Sequence, residues 1–117
     1  MFSEENAKRG VTYPKGFVAA GIKAGIKKSG NLDLALIYTE KEAALAGTFT
    51  QNKVAAAPVL YDREVVATGS GHAIIANAGC ANACTGEQGM KDAREMAAVT
   101  AEALGCTQRG RSQPCSK

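Results

Sequence analysis

Short apolar runs separated by turn residues fill the first three quarters of the chain, and their spacing is typical of β-strands. Leu32–Thr39 is apolar on both of its alternating faces, with Leu36 on one and Ile37 on the other, which predicts a strand buried on both sides. The same reasoning predicts three further strands, over Phe17–Ile26, Ala55–Tyr61 and His72–Ala76. We also expect a brief helical turn over Glu40–Leu45 that leads into a strand over Ala46–Thr50.

Over Glu87–Leu104 the apolar residues recur with the spacing of an α-helix. The apolar positions there recur at steps of three and four residues: Met90, Ala93, Ala97, Ala101 and Leu104. Thr85 is the predicted N-cap, with Gln88 as its capping-box partner. Gly105 is the predicted stop, because a glycine just past the last turn adopts the left-handed conformation without strain.

The composition changes after Gly105. Residues 106–117 contain no Leu, Ile, Val, Phe or Met. A segment with so little apolar surface to bury cannot offset the entropy lost on ordering, so we predict a divergent and disordered tail. The chain is therefore divided into an N-terminal segment, 1–105, and the tail, 106–117.

The amino-acid composition predicts a thinly packed core and argues against nucleic acid as a partner. Ala dominates the apolar residues, and three Phe, three Tyr and no Trp leave few large side chains, so a core built here packs thinly and needs a further surface. The net charge of +3 is scattered and lacks the interleaved aromatic residues that stack on bases. We therefore expect no nucleic-acid partner.

The sequence predicts neither a membrane segment nor a metal site. The longest apolar stretches fall far short of a membrane span, so we expect a cytoplasmic protein. The four cysteines lack the CxxC spacing of a zinc knuckle, and a reducing compartment favours free thiols.

The segment with the most candidate ligand-binding groups runs from Asn77 to Gly89, between a predicted strand and the predicted helix. Its small residues let backbone approach a ligand, and the helix start offers N–H groups that attract anions. The candidate ligand-binding residues are Asn77, Asn82, Thr85 and Gly86. The alternative is structural: the two asparagines satisfy the backbone of their own loop, and Thr85 only caps the helix.

The same segment resembles the signature Asn-x-Gly-x-Ala-Asn-Ala-Cys-Thr-Gly-x-Gln-Gly of the ornithine acetyltransferase (glutamate N-acetyltransferase) family. Three other stretches are similar to earlier elements of the family, in the same order: Gly10–Phe17, Ala20–Lys27 and Ala46–Asn52. The chain therefore resembles the N-terminal part of the family's alpha chain.

This resemblance implies an α/β fold with a mixed β-sheet covered by helices, of which the chain would be an incomplete fragment. It implies acetyl transfer from N-acetylornithine to glutamate in arginine biosynthesis, with acetyl-CoA as an acetyl donor in some members and no other cofactor. A precursor in the family cuts itself before a threonine, whose hydroxyl becomes the nucleophile. The alpha and beta chains that result assemble into a heterotetramer.

The catalytic motifs of the family have no counterpart in this sequence. In the family, the Thr-Gly pair of the oxyanion hole and the cleavage threonine follow the helix, so no position here inherits a catalytic role. Ala67-Thr68 repeats the dipeptide that is cut, but the residues after it do not match the cleavage motif, and a turn explains Thr68. His72 has no nucleophile with an acid partner around it.

We therefore expect a chain that is inactive alone. Two alternatives remain open. The first is a non-catalytic assembly partner for a separately encoded remainder of the enzyme, because missing strands would leave sheet edges and apolar surface to be covered. The second is a small-anion-binding module built on the helix start at Thr85-Gly86.

Overall fold

The structure, a computed structural model, describes residues 10–106. These residues form three strands and two helices, joined by turns and loops. In chain order these elements are β1 (Phe17–Ile22), β2 (Leu34–Ala44), α1 (Ala57–Val66), β3 (Ser70–Asn77) and α2 (Gly86–Ala103). The strands lie in the order β1-β2-β3. None of the helices within residues 10–106 is long and apolar enough to cross a membrane.

The α/β fold class is confirmed, but the sheet differs from the expected mixed one. Both strand pairs within residues 10–106 are antiparallel. β1 and β2 are joined directly by a turn, and α1 brings the chain back into the sheet at the end where β2 left it, so each connection gives an antiparallel pair.

One face of the sheet contacts α2. The register aligns Tyr38 with Ala73 and Leu36 with Ile75, so these side chains share a face. Ala73 and Ala101 of α2 are buried against each other, and the partly buried residues around them are Leu36, Tyr38, Leu104 and Cys106. On the same face of β1, Val18 and Ile22 remain 58% and 53% exposed, so this contact does not extend over β1.

The opposite face is open, which corrects the prediction that β2 is buried on both sides. Ile37 pairs with Ile74, whose side chain is 41% exposed. Ala35 pairs with Ala76, and both are exposed. Both faces of β2 carry apolar residues, but α2 contacts only the face that carries Ala73.

The two helices pack through small side chains. Ala93 and Ala97 of α2 are completely buried, and they form one cluster with three residues of α1: Ala57, Tyr61 and Val65. Alanine at the contact lets the helix backbones approach closely, so the interface has no room for a larger side chain. The alanine-rich core predicted from composition is confirmed in this contact.

The structure corrects the predicted strand over Ala55–Tyr61, where α1 begins. Pro58 lies in the first turn of the helix, where its missing N–H removes no hydrogen bond. The buried residues Ala57, Tyr61 and Val65 recur every four residues. An apolar run that is short enough for a strand is therefore the start of an amphipathic helix.

The predicted helical turn over Glu40–Leu45 is also wrong, because β2 extends to Ala44. Its register with β3 shifts between Tyr38 and Ala43, and pairing then resumes with Ala43 opposite Gly71. Cross-strand hydrogen bonds outweigh the helix propensity of Glu and Ala in this segment.

The predicted strand over Ala46–Thr50 is an irregular segment instead. Arg63 of α1 holds it: the guanidinium donates to the carbonyl oxygen of Thr50 and lies 5.8 Å from the centre of the Phe49 ring. Contacts with a helix therefore replace strand pairing here.

The other predicted elements are found close to their predicted bounds. β1 falls within Phe17–Ile26, β3 includes His72–Ala76, and α2 matches the predicted helix. Gly105 ends the helical region with φ +68°, as predicted, and its N–H donates to the carbonyl of Glu102. The predicted disordered tail, 106–117, lies outside the described residues except for Cys106, which is partly buried.

The turn between β1 and β2 is organised around Asp33, which is 3% exposed. Its carboxylate accepts hydrogen bonds from the backbone N–H groups of Ala24 and Ile26 at 2.6 Å each and of Lys27 at 2.9 Å. Its backbone carbonyl accepts from the N–H of Ala78, just after β3, at 2.9 Å. Asp33 thus connects the β1–β2 turn to the segment that follows β3.

The pKa of the Asp33 carboxyl lies below its ordinary value of 3.8. The main cause is the hydrogen bond from the backbone N–H of Lys27, followed by that from Ala24, with a smaller one from Ile26. Burial acts in the opposite direction, and the positive charge of Lys27 adds a small lowering. The folded state therefore favours the ionised carboxylate.

We predict that Asp33→Asn lowers the Tm at neutral pH by several degrees. Asn keeps one acceptor but turns an N–H group toward backbone donors, so the turn loses hydrogen bonds. Because the folded pKa is lowered, the stability that the carboxylate contributes is complete above 3.8 and is lost as the pH falls through the lower folded value. Thermal unfolding followed by circular dichroism from neutral to acidic pH measures both effects.

The control for this experiment is Glu40→Gln, which removes an exposed carboxylate of β2. Its unfolding should follow that of the unchanged chain. An Asp33→Asn variant with the same acid dependence as the unchanged chain would show that the three hydrogen bonds to the Asp33 carboxylate contribute nothing to stability.

A second prediction concerns the alanine contact between the helices. Ala97→Leu should lower the free energy of unfolding by about 1–3 kcal/mol, because the close-packed site has no volume for the added atoms. Ala98→Leu, one residue along on the exposed side of α2, should change it by less than about 0.5 kcal/mol. Urea denaturation compares the two, and equal effects would contradict the packing described here.

Candidate functional site

The segment from Asn77 to Gly89 comprises the end of β3, the connecting loop and the first turn of α2, and it is held by the side chain of Asn82. Asn82 Nδ2 donates to the carbonyl oxygen of Gly89 at 2.8 Å, and Asn82 Oδ1 accepts from the hydroxyl of Thr85. The carbonyl oxygen of Asn82 accepts from the N–H of Ala57 at 3.2 Å. Asn82 therefore connects the starts of both helices.

Gly89 is required by this arrangement. It is buried, and a Cβ atom placed there would overlap with Thr85 Oγ1 and Asn82 Oδ1. The glycine lets the amide of Asn82 lie against the first turn of α2. The glycine at this position of α2 thus has a packing reason that the sequence pattern alone does not reveal.

Gly79 fits the same loop against the turn organised by Asp33. Its φ is +109°, and a Cβ atom there would lie 2.8 Å from Cγ of Lys27 and 3.3 Å from Cγ2 of Ile26. Both neighbours belong to the turn whose amides bind the Asp33 carboxylate. Two segments that are far apart in sequence therefore pack directly on each other.

The predicted capping box is not formed. Thr85 occupies the N-cap position of α2, but its side chain makes no capping hydrogen bond and donates to Asn82 instead. Gln88 Nε2 donates to Asp92 Oδ1 at 2.7 Å, one turn further along the helix. Asn82 competes successfully for the Thr85 hydroxyl because it lies three residues before it in the same loop.

Three of the four candidate residues line one cleft of about 480 Å³, here called the β3–α2 cleft: Asn77, Asn82 and Thr85. Asn77 Nδ2 lies 3.5 Å from Sδ of Met96, which lines the cleft from α2. Asn82 bonds to the backbone carbonyl of Gly89, in agreement with its structural interpretation, whereas the Thr85 hydroxyl donates to Asn82 and does not cap the helix. Their ligand binding stays a prediction.

Gly86, the fourth candidate, faces a different depression. Together with Cys84, Glu87 and Met90 it lines an open groove of about 490 Å³ between the first turns of α1 and α2. Glu87 places a carboxylate in the first turn of α2, where it already compensates the positive end of the helix dipole. This local negative charge disfavours an anion at the helix start.

Two residues weighed in the sequence have structural contacts. Thr68 Oγ1 lies 2.7 Å from the carbonyl oxygen of Val65 and 3.1 Å from that of Ser70, so its hydroxyl is engaged in the turn that follows α1. That turn follows a helix, whereas the sequence suggested a strand. His72 Nδ1 lies 3.2 Å from the carbonyl oxygen of Thr39, within the sheet.

The cysteines and acidic residues of the described segment form no metal-binding group. Within residues 10–106, no three His, Cys, Asp or Glu side chains converge. Cys80 and Cys84 are exposed free thiols, and Cys106 is a partly buried one.

The sequence profile of the ArgJ family matches residues 18–116. The chain belongs to the ArgJ family. This confirms the resemblance drawn from the four motifs, because the relatives named below include an ornithine acetyltransferase.

Two curated ArgJ relatives illustrate the similarity, and each is named arginine biosynthesis bifunctional protein ArgJ. The protein of Mycolicibacterium paratuberculosis is 54% identical over 98 residues, which are 83% of this chain and 24% of the relative. That of Mycobacterium leprae is 56% identical over 97 residues, which are 82% of this chain and 24% of the relative. The chain thus spans about a quarter of the length of these relatives.

Two solved structures share the fold. The ornithine acetyltransferase of Mycobacterium tuberculosis, crystallised with ornithine, superposes with a TM-score of 0.79 at 50% identity, over 86% of this chain and 52% of that chain. The ArgJ protein of Bacillus halodurans gives a TM-score of 0.74 at 46% identity, over 78% of this chain and 48% of that chain.

We predict that Gly89→Ala destabilises this ArgJ-family chain although Ala is the better helix former. The gain of about 1 kcal/mol in helix propensity is outweighed by the displacement of Thr85 and Asn82, and the net loss should be about 1–2 kcal/mol. Gly10→Ala is the control, because nothing lies within 4 Å of the added atom. A Gly89→Ala variant that unfolds at a higher urea concentration than the unchanged chain would contradict this.

Proposed function

We propose that the chain forms part of an ornithine acetyltransferase (glutamate N-acetyltransferase), which moves an acetyl group from N-acetylornithine to glutamate in arginine biosynthesis. The observation that carries this proposal is the match to the Mycobacterium tuberculosis enzyme that was crystallised with ornithine, with a TM-score of 0.79 at 50% identity. Similarity at this level in both sequence and structure supports a shared role in the reaction as well as a shared fold.

The internal geometry supports the same proposal. The family motif Ala20–Lys27 contacts the motif Asn77–Gly89 directly at Gly79 and also through Asp33, which accepts hydrogen bonds from both motifs. The two motifs therefore pack on each other at the start of the loop that enters α2. Their joint preservation in this chain fits a protein that keeps the geometry of the working enzyme.

The remaining parts of the reaction belong to the three quarters of the relatives that this chain does not span. We place there the threonine nucleophile, its activating amine and the donors of the oxyanion hole. By the same resemblance, acetyl-CoA is a second acetyl donor, the working assembly is a heterotetramer of alpha and beta chains, and the compartment is the cytoplasm. The 117-residue chain by itself would then be inactive.

Assembly with a separate polypeptide is the second candidate function, and the open face of the sheet favours it. Ile74 is 41% exposed on that face, next to the exposed Ala35 and Ala76. The edge strand β1, Phe17–Ile22, carries no charged residue that would discourage pairing with another strand. A polypeptide that supplies the rest of an ArgJ fold would cover this surface.

The proposed function predicts that the purified chain produces no N-acetylglutamate from N-acetylornithine and glutamate. Mass spectrometry of the product measures this. Transfer should appear when the chain is co-expressed with a polypeptide that supplies the part of the Mycobacterium tuberculosis relative beyond the match. Turnover by the chain alone would refute its inactivity, and an inactive but intact complex would refute the proposed reaction.

The assembly is tested on the same mixture by size-exclusion chromatography. Ile74→Lys should weaken the complex, because it places a charge on the open face. Val99→Lys, on an exposed side of α2 with 59% exposure, is the control and should leave it intact. The absence of any complex with the unchanged chain would exclude the assembly function.

A further inference from the structure

β1 is an edge strand of the sheet. In the part of the chain that the structure describes, the strand order β1-β2-β3 gives β1 a neighbouring strand on one side, and the backbone groups along its other side face no strand. Its pairing with β2 is continuous over Phe17–Ile22, without a bulge. A regular strand presents a regular outer edge, which a further strand can extend by backbone hydrogen bonds.

The features that usually protect an edge strand from pairing are missing from β1. Phe17–Ile22 contains neither a charged residue nor a proline. Val18 and Ile22 are highly exposed on the face of the sheet that α2 contacts, because the contact with α2 lies around Ala73 of β3 and does not extend over β1. β1 therefore combines an open edge with exposed apolar side chains.

The sizes of the side chains in β1 are symmetric about Ala20. Val18 and Ile22 are the large residues on either side, and Ala19 and Gly21 are the small residues next to the centre. When two identical strands pair antiparallel about Ala20, Val18 of each copy lies opposite Ile22 of the other, on the same face of the joined sheet. A two-fold interface requires such reciprocal contacts, so this strand is complementary to itself.

The flanking lysines select this register. In the neighbouring two-fold register, centred on Ala19, Lys15 of one copy would lie directly opposite Lys23 of the other, and like charges in that position are destabilising. In the register centred on Ala20, Lys23 lies opposite Phe17 instead. The distribution of charge therefore permits pairing with a second copy in the register that also matches the apolar side chains.

We propose that β1 is a homodimerisation strand, through which two copies of this chain pair antiparallel with Ala20 at the two-fold axis. The two three-stranded sheets then form one continuous sheet of six strands. Val18 of each copy packs beside Ile22 of the other, which removes the exposed apolar surface of both from water. The proposal concerns the chain in the absence of any other polypeptide, and it does not rest on the proposed function.

The purified full chain tests the proposal by size-exclusion chromatography with light scattering. A reducing agent is present, so that no disulfide joins two copies. At ~0.1 mM, a concentration suited to the weak affinity of a short strand pair, the mass should be twice the chain mass of 12.1 kDa, and it should fall on dilution. The mass of a single chain at this concentration would overturn the proposal.

Val18→Lys should abolish the dimer, because it places a charge against the apolar side chain of Ile22 at the interface. Val99→Lys is the matched control, since it is the same substitution on α2 at nearly the same exposure, 59% against 58%, and it should leave the dimer intact. Circular dichroism verifies that both variants are folded. A folded Val18→Lys variant that remains dimeric would place the contact elsewhere and overturn the proposal.

A charge pair tests the register. Val18→Lys combined with Ile22→Glu places opposite charges across from each other twice in the dimer, and at low salt it should restore the dimer that Val18→Lys loses. Within one copy the two positions are about 13 Å apart along the strand, so the rescue has to come from the second copy. A double variant that stays as monomeric as Val18→Lys would overturn the pairing about Ala20.

Ile74→Lys separates this inference from the proposed assembly function. The substitution lies on the open face of the sheet and is expected to weaken the complex with the rest of the enzyme, but it should leave the homodimer intact. Loss of the homodimer in this variant would show that the copies associate through the open face, and would overturn the proposal. A homodimer that forms although the assembled protein transfers no acetyl group would refute the proposed function and leave the role of β1.

Discussion

The carboxylate of Asp33 is the interaction on which the arrangement of the loops depends. A turn of this length between two strands has more backbone N–H groups than the sheet can satisfy, and a buried N–H without an acceptor is costly. One ionised side chain accepts three of them, from Ala24, Ile26 and Lys27. The turn acquires a fixed shape without regular secondary structure, and the backbone of Asp33 transmits that shape to Ala78.

A second polar side chain, that of Asn82, fixes the loop between β3 and α2 by hydrogen bonds, as Asp33 fixes the β1–β2 turn. Its amide bonds to Gly89 and Thr85, and its carbonyl receives the first N–H of α1. The loop between β3 and α2 is thus fixed at its start by the backbone hydrogen bond from Ala78 to Asp33 and near its end by the side-chain hydrogen bonds of Asn82. The candidate residues Asn82 and Thr85 owe their positions to this structural role, and they line the cleft as a consequence of it.

Patterns repeated over a strand or a helix were predictable, whereas contacts between distant segments were not. α2 and β3 were found because their apolar period extends over their whole length. The apolar run at the start of α1 is as short as a strand and so predicts one, although Pro58 and the four-residue spacing of Ala57, Tyr61 and Val65 indicate a helix. The role of Asp33 was not predictable, because its donors are chosen by the path of the turn and not by residue type.

The alanine-rich core explains why the site is a cleft and not a closed pocket. Ala93 and Ala97 let α2 approach α1 closely, which draws α2 toward that helix. Toward the sheet, contact is concentrated at Ala73 and Ala101, near the C-terminal end of α2. The N-terminal half of α2, which includes Asp92, is therefore left apart from the end of β3, and the space between them is the cleft. Small residues in the core thus determine both the close packing of the helices and the opening in which a ligand can bind.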